Sequence, residues 1–285
     1  MMMTYIYNKV KSGRWVAFAL LLLCSFTFSL FSCDNIAEDD RLVYEPLPEV
    51  KRSVLIEDFT GQRCVNCPNA AEEIHSLQQE YGDSVVIAVG IHGGPMAVKP
   101  NPARPNVVGL ATDLGDAYND YWKVEQWPMG MVNRSGVCAY TDWKARVREE
   151  LQKTAPVDIV VGNYKPDENG NITVFASLTG VRGRTTGKLQ IWIVEDNIKA
   201  IQLMPDGSAN QDYVHQHVFR GAVNGDWGED IAVDEGGVTT VFRDYDLPDD
   251  WNRENLSLVA FVYNDQGVQQ VANNRLTLSD LDLKE

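Results

Sequence analysis

Positive charge is scarce along this chain. Against 40 Asp and Glu stand only 25 Lys and Arg, a formal net charge of −15. Such a balance excludes nucleic acid as a partner and repels an anionic membrane surface. Histidine is scarcer still, with four residues, few for general-base work. The chain has no G-x-S-x-G elbow, no phosphate-binding glycine loop and no H-E-x-x-H helix. Serine hydrolysis, nucleotide-dependent chemistry and zinc proteolysis therefore have no foothold, and no cofactor is expected. Disorder is excluded as well: hydrophobic residues make up 44% and charged residues 23% of the chain, a composition that can build a core.

The amino-terminal segment is apolar in a way the rest is not. Lys9, Lys11 and Arg14 precede the run WVAFALLLLCSFTFSLFS, which ends at Cys33. A positive n-region followed by such a run predicts a signal peptide over residues 1–32. Leu30-Phe31-Ser32-Cys33 resembles the lipobox of bacterial lipoproteins, where the cysteine thiol takes a diacylglycerol before cleavage. That resemblance makes Cys33 the lipidated residue, and two or three acyl chains give stable anchoring where one does not. Loss of the leader would take the charge from −15 to −18, since it carries three cations and no acid. Residues 33–50 read as an acidic tether, with Pro46 and Pro48 and no apolar period. Within it, Glu38-Asp39-Asp40 resembles the acidic export signal of surface lipoproteins of some Gram-negative anaerobes, and reads equally as a solvated spacer.

The five cysteines separate by position. Cys24 leaves with the leader, Cys33 carries lipid, Cys64 and Cys67 form a C-x-x-C, and Cys138 stands alone between Val137 and Ala139 as an expected buried thiol. The pair sits between an apolar strand beginning at Val54-Leu55-Ile56 and a helix predicted over Asn69 to Tyr81, with Pro68 in its first turn. A helix N-terminus stabilises a thiolate through its dipole and free N–H groups. Further on, a strand spans Ser84 to Ile91, a helix Leu110 to Lys123, short strands Gly130 to Arg134 and Gly136 to Tyr140, and a closing helix Asp142 to Lys153.

That order, over residues 51–154, is the minimal thioredoxin order, and VLIEDFTGQRCVNC resembles the thioredoxin active-site strand. By that resemblance Cys64 is the attacking thiolate and Cys67 the resolving thiol of a Cys64–Cys67 disulfide. Asp58, six residues before Cys64, is the proton acceptor, and Pro128 in QWPMGMVNR is the cis-proline that receives a partner peptide. Arg63 stands where thioredoxins commonly carry Trp, and Val65-Asn66 matches no dipeptide of known redox poise. The residues themselves leave a second possibility, an inert structural disulfide. A four-residue ring removes little chain entropy and makes a weak staple.

From residue 155 the pattern changes to period two. Strands are predicted over Val157 to Tyr164, Asn171 to Leu178, Lys188 to Val194, Val238 to Tyr245, Leu256 to Asn264 and Val268 to Leu278. The expected fold is thus an α/β thioredoxin-like domain followed by an all-β sandwich of immunoglobulin or fibronectin type over 155–285. Residues 198–230 read as a functional loop or a pair of irregular strands. Within them His215 and His217 are expected on one strand face, solvated rather than metal-bound, and Trp227, like Trp251, as packing rather than a carbohydrate platform.

Lipobox, acidic tether, TG-x-x-C-x-x-C-P turn, W-P element and terminal β-sandwich together resemble the outer-membrane-protein-28-related lipoproteins. The resemblance implies a lipid-anchored protein of the outer membrane or cell surface. Two functions compete. One is thiol–disulfide exchange in the cell envelope with a protein thiol or disulfide partner. The other is surface binding or adhesion, with the thioredoxin-like unit as scaffold and the sandwich holding a surface ligand.

Overall fold

The period-two segments and the apolar strands of the amino-terminal half are drawn into shared sheets. The computed structural model describes residues 49–167 and 170–278, all within one compact unit. The signal peptide, the lipid site at Cys33 and nearly all of the tether lie outside the described residues.

The first half follows the expected order. Strand β1 (Val54–Thr60) leads to helix α1 (Cys67–Tyr81), then β2 (Val86–His92), helix α2 (Asp113–Tyr121), β3 (Met129–Val132), β4 (Cys138–Ala139) and helix α3 (Trp143–Glu150). β1 runs parallel to β2 and antiparallel to β3. Alternation along β1 explains its placement. Val54 and Ile56 pack against Ala70, Ile74 and Leu77 of α1 and Trp143 and Val147 of α3, while Leu55 and Phe59 point to the opposite face. α2 is shorter than the sequence period suggests. Thr112 accepts a hydrogen bond from the Gly115 N–H (2.9 Å) and sets its start. α3 is shorter too: Tyr140–Asp142 forms a 3₁₀ turn before it and the helix ends at Glu150.

The second half adds β5 (Val157–Asn163), β6 (Ile172–Gly180), β7 (Thr185–Glu195), β8 (Ile198–Leu203), β9 (Ala209–His215), β10 (Val218–Ala222), β11 (Glu229–Val233), β12 (Val238–Tyr245), β13 (Leu256–Asn264) and β14 (Gly267–Arg275). The chain is mostly β, with mixed and antiparallel sheets. Where the sequence predicted a sandwich confined to 155–285, the strands divide differently. β7, β10, β11, β13 and β14 join β1 to β4 in one nine-stranded sheet, in the order β14-β13-β7-β10-β2-β1-β3-β4 with β11 also paired to β7. The sheet thus runs straight across the boundary expected near residue 154, through the pairing of Val218 with Gly90.

The cause lies in β7 and β13, which are apolar on both faces and must be covered twice. On one face Leu189, Ile191, Ile193, Leu258, Ala260 and Val262 meet Ile172, Val174, Ala176 and Leu178 of the three-stranded sheet β12-β6-β5. On the other, Trp192, Val194, Val259 and Phe261 share a core with Leu55, Phe59, Ile87, Val89 and Ile91. The large sheet curls back to enclose that core: the Val268 N–H donates to the Asn133 carbonyl (2.9 Å) and Ser53 N–H to Gln270 Oε1 (2.9 Å).

Candidate functional site

The cysteine pair is placed by a tight exit from β1. The Cys64 N–H donates to the Gly61 carbonyl (3.0 Å) and the Arg63 N–H to the Met96 carbonyl (2.9 Å). A side chain at Gly61 would put its Cβ 2.4 Å from the Met96 carbonyl carbon, so only glycine lets the 94–97 segment approach. Gly61→Ala is therefore expected to destabilise the fold by about 1–3 kcal/mol, read as a lowered midpoint in urea. An unchanged midpoint would remove this account of the turn.

Cys64 and Cys67 are joined as a disulfide with Cα atoms 5.4 Å apart, and Cys67 opens α1. Both are buried, Cys64 at 4% exposure and Cys67 at 3%. What covers them is a segment the sequence left open. Residues 198–230 resolve into strands, and the β8–β9 hairpin lies over the pair. Gln202 Nε2 donates to the Cys64 carbonyl (2.8 Å) and the Leu203 N–H to the Gln62 carbonyl (2.9 Å). Ala200 and Ile198 seat the base of the hairpin on Leu110 and Val218. Gln62, itself buried, donates to the Val108 carbonyl (2.8 Å) and accepts from the Leu110 N–H (3.1 Å), locking a second loop beside the turn.

Beneath the hairpin a small cavity of about 110 Å³ is lined by Asp58, Cys67, His92, Gln202, Tyr213 and His215 among others. Asp58 is buried, its Oδ1 has no hydrogen-bond partner among the described residues, and burial pushes its carboxyl up to about 8. His92 and His215 meet edge to face at 5.3 Å. Burial holds the His215 imidazole down at about 4, and burial with nearby His215 and Arg220 holds His92 well below the ordinary range. Both rings are neutral at neutral pH, with His92 Nδ1 and His215 Nε2 unpartnered.

Three of the residues expected at a redox site thus meet: Cys67 and Asp58 share the cavity, with Cys64 bonded to Cys67. Pro128, in a cis bond to Trp127, lies just before β3, one step past the Phe59–Met129 pair at the end of β1. It does not line the cavity. His215 and His217 do not share a strand face. His217 lies beyond the end of β9 with φ +55°, its ring between Asp196 Oδ1 (3.1 Å) and Gln78 Oε1 (3.2 Å). Among the described residues no group of three or more His, Cys, Asp or Glu is placed to hold a metal ion. Cys138 is a buried free thiol in the α1/α3 core, pushed up by burial.

A second buried polar centre was not foreseen from the sequence. Arg134 Nε and Nη2 donate to the Glu57 carboxylate at 3.0–3.2 Å, and its guanidinium stacks on Tyr263 (4.2 Å) and Phe261 (4.8 Å). The available signal was Glu57 itself, an acid at a position of β1 facing the aromatic core, which demands a cation.

A family model described as outer membrane protein Omp28 matches residues 115–279, more than half of the chain. The chain belongs to the Omp28 family. The match runs from within α2 past the end of β14, so it includes Pro128 and Arg134 but neither Asp58 nor the cysteine pair. As an Omp28-family member the chain is an outer-membrane protein. Among solved structures, HBP35 of Porphyromonas gingivalis is similar in fold, with a TM-score of 0.61 at 19% identity over 80% of this chain and 76% of that one. A domain of the outer membrane lipoprotein Omp28 from the same organism aligns at 25% identity over 44% of this chain and 92% of that domain, with a TM-score of 0.33. No curated protein matches the chain.

Proposed function

We propose that this Omp28-family protein is a surface-binding lipoprotein, anchored through lipid on Cys33, whose amino-terminal half is a thioredoxin-like scaffold. The β1–α1–β2–α2–β3–β4–α3 order and the β2-β1-β3-β4 sheet order support the thioredoxin-like reading. The burial of the Cys64–Cys67 disulfide under the β8–β9 hairpin carries the binding one. Exchange needs a partner thiolate in line with a sulfur. With both cysteines nine-tenths buried or more, no partner reaches either sulfur while the hairpin is seated.

The test is the rate at which dithiothreitol reduces the pair in the lipidated chain, followed by alkylation and mass. Reduction of the native chain is expected at least roughly tenfold slower than in denaturant, limited by local opening of the hairpin. Equal rates, or a mixed disulfide trapped with a protein partner by a Cys67→Ala variant, would overturn the scaffold reading.

One observation favours thiol–disulfide exchange as a second reading: Asp58, buried and unpaired, shares a cavity with Cys67. In that exchange a partner dithiol is oxidised to a disulfide as Cys64–Cys67 is reduced, and Asp58 passes the proton at Cys67. This reading requires the hairpin to lift. The exposed residues Ala209 to Asp212 of β9 suit such a motion.

A further inference from the structure

An open groove of about 860 Å³ lies where the end of α2, the turn before β11 and the β13–β14 hairpin come together. Its wall is aromatic: Tyr121, Trp122, Trp227 and Tyr263, with Lys188 and Asp230 at the rim. Tyr121 is 61% exposed, 4.4 Å from Trp227 and 5.0 Å from Trp122 between ring centres. These rings are fixed from behind. The Tyr263 hydroxyl donates to the Trp227 carbonyl (2.7 Å), Tyr118 donates to the Asp226 carbonyl, and Tyr118 meets the Trp227 ring at 4.9 Å. Arg134 lines the same groove with a buried side chain. Two buried donors there, Arg134 Nη1 and Trp122 Nε1, have no hydrogen-bond partner among the described residues.

We propose that this groove binds a neutral glycan, an inference that rests on the surface-binding reading and names its ligand class. Exposed ring faces stack on the apolar C–H face of a pyranose, and the volume lies within the range of about 300–1,000 Å³ usual for small-molecule sites. The polar lining carries both signs, Lys188 against Asp230 and Asp265, and Arg134 is already neutralised by Glu57. An anion would face repulsion from the two carboxylates and from the chain's −15 excess. Hydroxyl groups satisfy this mixture, since each donates to a carboxylate and accepts from Lys188. A peptide side chain fits less well, because Ile231 is the only aliphatic residue along the lining. Trp227, read from the sequence as packing, is both a packed ring and part of this platform.

The lipidated chain in detergent, probed on an array of neutral, sialylated and sulfated oligosaccharides beside unstructured peptides, tests the proposal. The expected result is selective retention of neutral oligosaccharides. Tyr121→Ala, at an exposed position that leaves the core intact, should weaken it roughly tenfold or more, and Trp251→Phe, outside the groove, should leave it unchanged. Neutral-glycan binding unmoved by Tyr121→Ala and by Trp227→Phe would overturn the site. Retention of only charged oligosaccharides or peptides, or of nothing on the array, would overturn the ligand class. The surface-binding reading fails separately, if the native disulfide exchanges as fast as the denatured one.

Discussion

An Arg134→Ala chain is expected to lose about 3–5 kcal/mol of folding stability, measured as the shift in a denaturant transition at constant slope. The reason is what the substitution leaves behind. Glu57, 1% exposed, would keep its carboxylate inside the aromatic core with all three hydrogen bonds it accepts from Arg134 gone. The rings of Trp122, Trp192, Phe261 and Tyr263, which surround the guanidinium at 4.2–5.7 Å, would lose their cation and gain a void. Removing both partners avoids the stranded charge. Glu57→Gln combined with Arg134→Met is therefore expected to recover most of the loss. A single substitution that costs less than about 1 kcal/mol would mean that the pair is not the anchor its geometry indicates.

The second large effect is on pH dependence. Asp58 binds its proton up to about pH 8 in the folded chain, against about 3.8 for the ordinary carboxyl. A raised folded pKa contributes stability that is complete below 3.8 and is lost as pH climbs to 8. His215 and His92 act in the opposite sense. Held at about 4 and well below 6.5, they leave the unfolded chain binding more protons, so stability is lost as pH falls below 6.5. From pH 4 to 6.5 the two imidazoles outweigh the one carboxyl and stability rises. From 6.5 to 8 Asp58 acts alone and stability falls. The protein is thus expected to be most stable near pH 6.5. Asp58→Asn should remove the decline above that point, leaving the variant more stable at pH 8 by about 5 kcal/mol. Unfolding curves at pH 4, 6.5 and 8 decide the matter. A variant that declines in parallel with the parent would show that Asp58 titrates normally.

Several site features were legible in the residues. Cys64 and Cys67 lie between a buried strand and a helix as expected, with the helix opening at Cys67 rather than Asn69, and Asp58 reaches the cavity beside Cys67 because strand alternation puts it on the α1 face with Val54 and Ile56. The hairpin over the pair was not legible. Ile198 to His215 carries no strong alternation, because Ala209 to Asp212 is exposed on both sides and the covering contacts fall on Gln202 and Leu203. Nor was the position of His217, whose positive φ turns the chain out of β9.

The aromatic groove shows the same limit. Tyr121, Trp227 and Tyr263 are more than thirty residues apart along the chain, and no spacing rule connects them. The sequence by itself determined the C-x-x-C at a strand-to-helix junction, the lipobox pattern at Cys33 and a β-rich second half, because each rests on contacts or patterns between neighbours in the chain. Only the tertiary structure decided that both halves share one sheet, that a hairpin covers the disulfide, that Arg134 answers Glu57 and that rings from three distant stretches of chain line one groove. Those outcomes depend on which apolar faces find one another when β7 and β13 must be covered on both sides, a choice made by packing across the whole chain.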